Sequence, residues 1–230
     1  MQIEGSVVMV TGANGGLGRE FVRQFLERGA TKVYAAARRD LDWADARVVP
    51  LRLDVTDADS IEAAAAQAAD VTVLVNNAGV VGARSLLSSP IAEIRDTFEA
   101  NLFGPLQVTR AFAPALAAAG GGAIVNVHSV LSWLATPGAY SPSKAAVWGL
   151  TNTLRLELAG QGTQVLGAHL GYTDTPMTAG LDVPKSDPAV IVARILDALA
   201  EGADEAHADD VTRRVRSNLS TLTTGAISAN

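Results

Sequence analysis

The sequence contains no cysteine, so neither a disulfide nor a thiolate metal site is open to it. Its three histidines, His128, His169 and His207, are far apart and lack the spacing of metal ligands, so no metal is expected. Charged residues are scarce at 18%, and aromatic ones scarcer at 5%. There is no basic run and the net charge is −6, which argues against a nucleic-acid or anionic-membrane partner. No apolar run approaches the ~18 residues of a membrane-spanning helix. Too little precedes the first apolar run to read as a signal peptide, so a cytoplasmic protein is expected. What is abundant is small and aliphatic: 48% of the 230 residues are hydrophobic. That suffices for one domain over residues 1–230 with a large core. The low charge also suits a buried surface in a homo-oligomer.

Residues 6–11, SVVMVT, form a short run apolar on both faces, as buried parallel strands are. Thr11-Gly12-Ala13-Asn14-Gly15-Gly16-Leu17-Gly18 follows at once, and helical periodicity then runs over 19–28. Glycines let a phosphate approach the backbone, and a helix N-terminus behind them offers N–H groups and a positive dipole end. In a strand–turn–helix setting this pattern points to a dinucleotide. A second strand, Lys32–Ala37, ends in Arg38-Arg39. A guanidinium there suits the 2′-phosphate of NADP, where an NAD site places an acid. Asp40 leaves NAD as a secondary cofactor.

Further strands are expected at 47–53, 71–75, Ala123–Val127, 163–170 and 204–208. Helices are expected at 57–69, 91–119 with a break near Gly104-Pro105, 138–159 and Pro188–Ala200. Thr56 or Asp57 is available to cap the first of these. Alternating strands and helices predict an α/β fold: a single Rossmann-type three-layer α/β/α sandwich with a mostly or wholly parallel, doubly wound sheet of about seven strands. Ligands of such sheets lie beyond the carboxyl ends of the strands. The glycine turn, Arg38, Asp54, Asn76–Gly79, Ser129 and the stretch 172–175 all follow expected strands, so they should share one rim. Residues 171–187 read as a substrate loop, and 217–230 as a polar tail or docking arm.

Tyr140 and Lys144 stand four apart (144 − 140 = 4), on one face of the helix expected there. A phenol of pKa about 10 is a poor acid or base at neutral pH, and a lysine ammonium one turn away lowers that value. The pair makes an acid/base suited to an alcohol or carbonyl. Apolar residues at the expected pocket, Val80, Val81, Leu131, Trp133, Leu134, Tyr172, Met177 and Leu181, favour a hydrophobic ketone or aldehyde.

Together TGANGGLG, Asp54-Val55, NNAG, Asn101-Leu102-Phe103-Gly104, the serine after IVNV and YSPSK, in this order, resemble the short-chain dehydrogenase/reductase family over about residues 5–208. The resemblance implies an oxidoreductase that interconverts an alcohol and a ketone or aldehyde with NADP(H), with Tyr140 as acid/base. It implies that Lys144 tunes Tyr140 and holds the nicotinamide ribose, that Ser129 bonds the substrate oxygen, and that Asn101 positions a water relay. For the cofactor it implies Gly12, Asn14, Gly16, Leu17, Gly18, Arg38, Arg39, Asp54, Val55, Asn77, Ala78, Gly79, Gly171, Tyr172, Thr173 and Thr175. It also implies a tetramer or dimer. A non-redox relative (dehalogenase, lyase or epimerase) and a non-catalytic NADP-binding regulator are the alternatives. Lys144 with the intact glycine turn argues against the first, and Tyr140 with Lys144 against the second.

Three features depart from the family pattern. Ser129 and Tyr140 are only 11 apart (140 − 129 = 11), which also makes Ser132 a candidate. Ser129 is preferred because it directly follows a strand. Leu170 stands where the family has proline. His128 precedes Ser129 where a small or apolar residue is usual, and is a candidate for contact with substrate.

Overall fold

The computed structural model describes residues 1–39 and 42–219, so Asp40 and residues 220–230 of the expected tail lie outside it. Seven strands run in chain order: β1 (Val7–Thr11), β2 (Lys32–Ala37), β3 (Val48–Arg52), β4 (Val73–Asn76), β5 (Ala123–Val127), β6 (Gln164–His169) and β7 (Glu205–His207). The helices are α1 (Gly16–Glu27), α2 (Ala58–Gln67), α3 (Ile91–Phe98), α4 (Gly104–Ala118), α5 (Tyr140–Glu157), α6 (Pro188–Ala200) and α7 (Asp210–Ser217). The sheet order is β3-β2-β1-β4-β5-β6-β7 with every pairing parallel. It is the doubly wound sheet expected. Its order reverses between β1 and β4, where a crevice opens beyond the strand ends.

Alternation within each strand divides the core in two. Val8, Val10, Val73, Val75, Val125 and Ala168 face the layer made with α1 and α6. Met9, Leu74, Ile124 and Val165 face the other, with Ile61 of α2, Phe112 of α4 and Leu154 of α5. Since both faces are covered, these strands read as unbroken apolar runs. No helix among the described residues is long and apolar enough to cross a membrane.

Of the two caps offered for α2, Asp57 is the one used, accepting from the backbone of Asp59 at 3.1 Å and of Ser60 at 3.4 Å. The break expected at Gly104-Pro105 is instead a widened π turn over Glu99–Phe103, joining α3 to α4 without interruption. Pro105 has no N–H for the carbonyl four residues back, that of Asn101, and its ring crowds it. Widening the helix relieves both problems and places Asn101 at an irregular turn, a frequent feature of functional sites. Helix α7 was not expected from the sequence. It begins in a capping box in which the Asp209 side chain accepts from Thr212 N at 2.7 Å.

Candidate active site

The glycine turn leaves β1 and enters α1, whose N-terminus has Gly15 before it and no side-chain cap. Its first N–H groups therefore face the crevice. Gly18 packs so tightly that a Cβ there would run into the carbonyl oxygen of Gly12. A Cβ on Gly16 would stand 2.8 Å from the methyl of Thr175, which brings the loop after β6 over the start of α1. Asn77, after β4, fastens the turn from the far side, its amide donating to Thr11 O at 2.9 Å and Gly12 O at 3.2 Å.

These parts line one cleft of about 1070 Å³. That is the upper end of the roughly 300–1,000 Å³ of small-molecule pockets, room for a dinucleotide and a second ligand. Its lining includes Gly12, Asn14, Gly16, Leu17, Gly18, Arg38, Asp54, Val55, Asn77, Ala78, Gly79, Gly171, Tyr172, Thr173 and Thr175, as the sequence leads one to expect. Arg39, exposed two residues beyond β2, is not part of the lining. Asp54 is held below its usual pKa by the Thr56 backbone N–H first, then by the Thr56 hydroxyl and the Arg38 charge, and burial opposes them.

At the far end of the cleft Ser129, Tyr140 and Lys144 converge. Ser129 follows β5 in extended conformation and caps a short turn, its Oγ accepting from Leu131 N at 3.1 Å. Its hydroxyl lies close enough to the Tyr140 phenol to favour the ionised form of that phenol. Lys144 is buried, donates to Val127 O at 2.8 Å and lies 5.7 Å from the centre of the Tyr140 ring. Ser132 is buried, its hydroxyl partnerless and outside the cleft, so of the two serines it is Ser129 that lines the cleft. Burial pushes Tyr140 up to about 12, while the Ser129 hydroxyl acts the other way. That is opposite to the lowering expected from the lysine. Burial also brings Lys144 down to about 8. At neutral pH the phenol therefore carries its proton and the lysine its charge.

Asn101 lies just behind the cleft wall. Its amide accepts from Val80 N at 2.8 Å and donates to Val80 O and Ser143 Oγ, both at 2.9 Å. Ser143 in turn donates to Tyr140 O at 2.7 Å. Asn101 thus clamps the loop after β4 to the start of α5. Ser143, which the spacing of Tyr140 and Lys144 does not single out, completes the clamp.

The expected substrate wall divides. Val80, Val81, Leu131, Tyr172, Met177 and Leu181 line the cleft. Trp133 and Leu134 do not, because the short turn Val130–Ser132 swings the chain away. Trp133 stacks on His169, with ring centres 4.0 Å apart. His128 borders the cleft, but its ring is turned inward, with Nδ1 3.2 Å from His169 Nε2 and Nε2 2.8 Å from Thr151 Oγ1. Contact between that ring and substrate is therefore not what the structure shows. The substrate loop is pinned where Thr173 pairs with Ser186, and Gly171 N donates to Asp209 at 2.6 Å.

Burial holds both inner histidines neutral. His128 is pushed well below its usual value by burial first, then by the charges of His169, Lys144 and Arg155. His169 is brought to about 4 by burial, with His207 and Arg216 adding to the effect and Glu205 and the Ser129 carbonyl opposing it. Above pH about 6.5 folded and unfolded chains both keep these rings neutral. As the pH falls, the unfolded chain takes up protons that the fold excludes, so stability drops. For His169 alone the loss is about 2 kcal/mol by pH about 5, lowering Tm by about 4–8 °C. Thermal melts between pH 7 and 5 check this, and an unchanged Tm contradicts it.

A sequence profile of the family described as short chain dehydrogenase matches residues 6–185. The chain is 36% identical over 190 residues to a galactitol 2-dehydrogenase (L-tagatose-forming) of Cereibacter sphaeroides, covering 77% of this chain and 75% of that protein. It is 37% identical over 205 residues to a cis-4-hydroxycyclohexanecarboxylate dehydrogenase of Sinomonas cyclohexanicum, covering 82% and 80%. A short chain dehydrogenase from Burkholderia cenocepacia J2315, solved in complex with NADP, superposes with a TM-score of 0.90 at 39% identity, covering 96% of this chain and 95% of that one.

Proposed function

The chain belongs to the short-chain dehydrogenase family of oxidoreductases, and from that premise we propose that it reduces an apolar ketone or aldehyde with NADPH, or runs the reverse reaction. The observation that carries this reading is the meeting of Ser129, Tyr140 and Lys144 in the cleft that begins at the glycine turn.

The cleft fits a dinucleotide on structural grounds: an uncapped helix start behind a turn in which a Cβ on Gly12, Gly16 or Gly18 would crowd its neighbours, with Arg38 just after β2. The turn would hold the pyrophosphate, Arg38 the 2′-phosphate, Asp54 and Val55 the adenine, and Lys144 with Thr175 the nicotinamide end. Bound there, the nicotinamide supplies or accepts the hydride. The protein does the rest. Ser129 and Tyr140 donate to the carbonyl oxygen as negative charge grows on it. Tyr140, protonated at neutral pH, passes its proton to that oxygen. The Lys144 cation stabilises the tyrosinate left behind. The Asn101 amide is taken up by Val80 and Ser143, so any part of Asn101 in returning a proton falls to its main-chain carbonyl.

Val80, Val81, Tyr172, Met177 and Leu181 are all more than a third exposed around the mouth, an apolar rim for an apolar substrate. A panel of carbonyls with NADPH tests the function. Oxidation of NADPH by apolar ketones or aldehydes supports it, and no turnover of any member removes it.

Cofactor choice has its own test. Arg38→Asp deletes a charged hydrogen bond and sets a carboxylate against the phosphate. Since such bonds are worth about 1.5–3 kcal/mol, kcat/KM with NADPH should fall about 10- to 100-fold and preference move to NADH. An unaltered protein that already prefers NADH contradicts the assignment.

We read the assembly as a dimer or tetramer built on α4 and α5. Phe103 and Leu156 stand 45% and 79% exposed there, beside the exposed small residues Ala145 and Gly149. Light scattering at micromolar concentration should give a multiple of the chain mass, and a monomeric mass contradicts this.

A further inference from the structure

The three histidines, scattered in sequence, gather behind Ser129. Rings of His128 and His169 meet edge to face at 4.7 Å, and those of His169 and His207 lie 6.1 Å apart. His128 and His169 are 2% and 0% exposed, and the catalytic reading uses neither. Their hydrogen bonds have a direction that the chemistry fixes.

The fixed end is the Ser129 carbonyl, 3.3 Å from His169 Nδ1. A carbonyl only accepts, so Nδ1 carries the hydrogen. In the neutral ring His169 Nε2 is then an acceptor. Facing it at 3.2 Å, His128 Nδ1 must donate, which leaves His128 Nε2 bare; the one Thr151 hydroxyl hydrogen then goes to that nitrogen at 2.8 Å rather than to the Val147 carbonyl, also at 2.8 Å, since otherwise Nε2 would face an oxygen lone pair. Thr151 Oγ1 receives the amide of Asn126 at 2.9 Å, and Asn126 Oδ1 receives the amide of Asn76 at 2.9 Å. Five donors thus point one way, Asn76 to Asn126 to Thr151 to His128 to His169, ending on the Ser129 peptide. Donors in such a series polarise one another. Reversing both tautomers would keep a bond between the rings, His169 Nε2 then donating to His128 Nδ1, but would set the bare His169 Nδ1 against the Ser129 carbonyl, lone pair against lone pair. Glu205 Oε1, 3.8 Å from His169 Nε2, is too distant to offer that nitrogen a hydrogen bond instead. Two placements make the arrangement rigid. Trp133 stacks on one face of His169, within 18° of parallel. Gly167 leaves room for His128, whose Cε1 would stand 2.9 Å from a Cβ there.

We propose that His169, with His128 behind it, is a positioning residue for the catalytic serine: its Nδ1–H fixes the Ser129 peptide and so aims the Ser129 hydroxyl. The Ser129 carbonyl also receives Ser132 N at 3.0 Å, and Ser129 Oγ receives Leu131 N at 3.1 Å. With one lone pair so engaged, the hydroxyl keeps its hydrogen for Tyr140 or a substrate oxygen. Rotation of the Ser129 peptide swings that hydrogen off line, and a misplacement of 1 Å costs up to about 10²-fold in rate. This inference rests on the carbonyl-reduction reading for its kinetic consequence, but not for the hydrogen bonds themselves.

The test has two arms. In the first, long-range proton–nitrogen NMR of the unaltered protein reports which nitrogen of each ring is protonated. Both His128 and His169 are expected protonated at Nδ1 and bare at Nε2. A proton on Nε2 of either ring in the neutral protein overturns the proposal. In the second, kcat, KM and NADPH affinity are measured for His169→Phe, which keeps a ring against Trp133, and for His169→Asn, which keeps a donor near the place of Nδ1. Both changes are made in the unaltered protein and in the Ser129→Ala background. His169→Phe should lower kcat about 10- to 100-fold with KM and NADPH affinity changed less than about twofold. His169→Asn should recover most of the loss. In the Ser129→Ala background His169→Phe should cost almost nothing more, since its effect runs through the serine. An equal loss in both backgrounds, or none in either, overturns the proposal. If His169→Phe fails to fold, the NMR arm decides alone. A protein that turns over no carbonyl defeats the functional reading and leaves the NMR arm to decide the hydrogen bonds.

Discussion

Tyr140→Phe should lower kcat roughly 10²- to 10⁴-fold while leaving NADPH affinity nearly unchanged. The change deletes one hydroxyl and keeps the ring. Tyr140 is the first residue of α5 and lines the cleft, so the ring's packing does not depend on the oxygen. What is lost is the phenol beside Ser129 and Lys144, whose proton the developing alkoxide needs. The direction of its pKa sharpens the expectation. With the phenol pushed up to about 12 by burial, the proton-donating form persists through neutral pH. Reduction should then vary little across neutral pH. Alcohol oxidation, which needs the deprotonated form, should rise as the pH rises. Steady-state kinetics of both directions, with NADPH titration by fluorescence, check the prediction. Retained turnover in Tyr140→Phe shows that another group gives the proton.

Ser129→Ala comes next in size. A donor aimed at a developing oxyanion is worth about 3–4 kcal/mol, so kcat should fall about 10²- to 10³-fold. KM should move little, because the bond strengthens only as charge builds on the oxygen. Ser132→Ala is the control. Its hydroxyl is buried, without a partner and outside the cleft, so its loss removes no bond to substrate. The spacing of 11 residues left the two serines in competition, and the comparison of their kcat values decides between them. If Ser132→Ala proves the more damaging, the register of the turn after β5 is not the one described.

Much of this architecture can be read directly from the sequence. Strands such as VVMVT and VLVN betray burial on both faces by having no polar alternation. The glycine turn is legible because few other functions require so many unsubstituted backbone positions between a strand and a helix. The placement of Tyr140 and Lys144 follows from helical spacing alone. Other features depend on what only the folded chain decides. Trp133 and Leu134 read as pocket wall because they closely follow Ser129. The turn Val130–Ser132 redirects them, and apolar character does not say which way a turn bends. Helical spacing shows a charge beside Tyr140 but not the burial that raises its pKa. The histidines lie 41 residues apart in the bond between His128 and His169. They meet because β5 pairs with β6 so that Val127 stands opposite Ala168, which brings the next residues of both strands together. Helix α7 did leave a signal, Asp209 followed three residues later by Thr212, but at eight residues it was too short to show periodicity.

The account stands most directly on one measurement: consumption of NADPH and of NADH, side by side, against a panel of apolar ketones and aldehydes, with the unaltered protein and Tyr140→Phe. The expected result is carbonyl-dependent oxidation of NADPH, faster than that of NADH, and nearly absent in the phenylalanine variant. Absence of carbonyl-dependent oxidation with either cofactor, or equal rates in the two proteins, contradicts it.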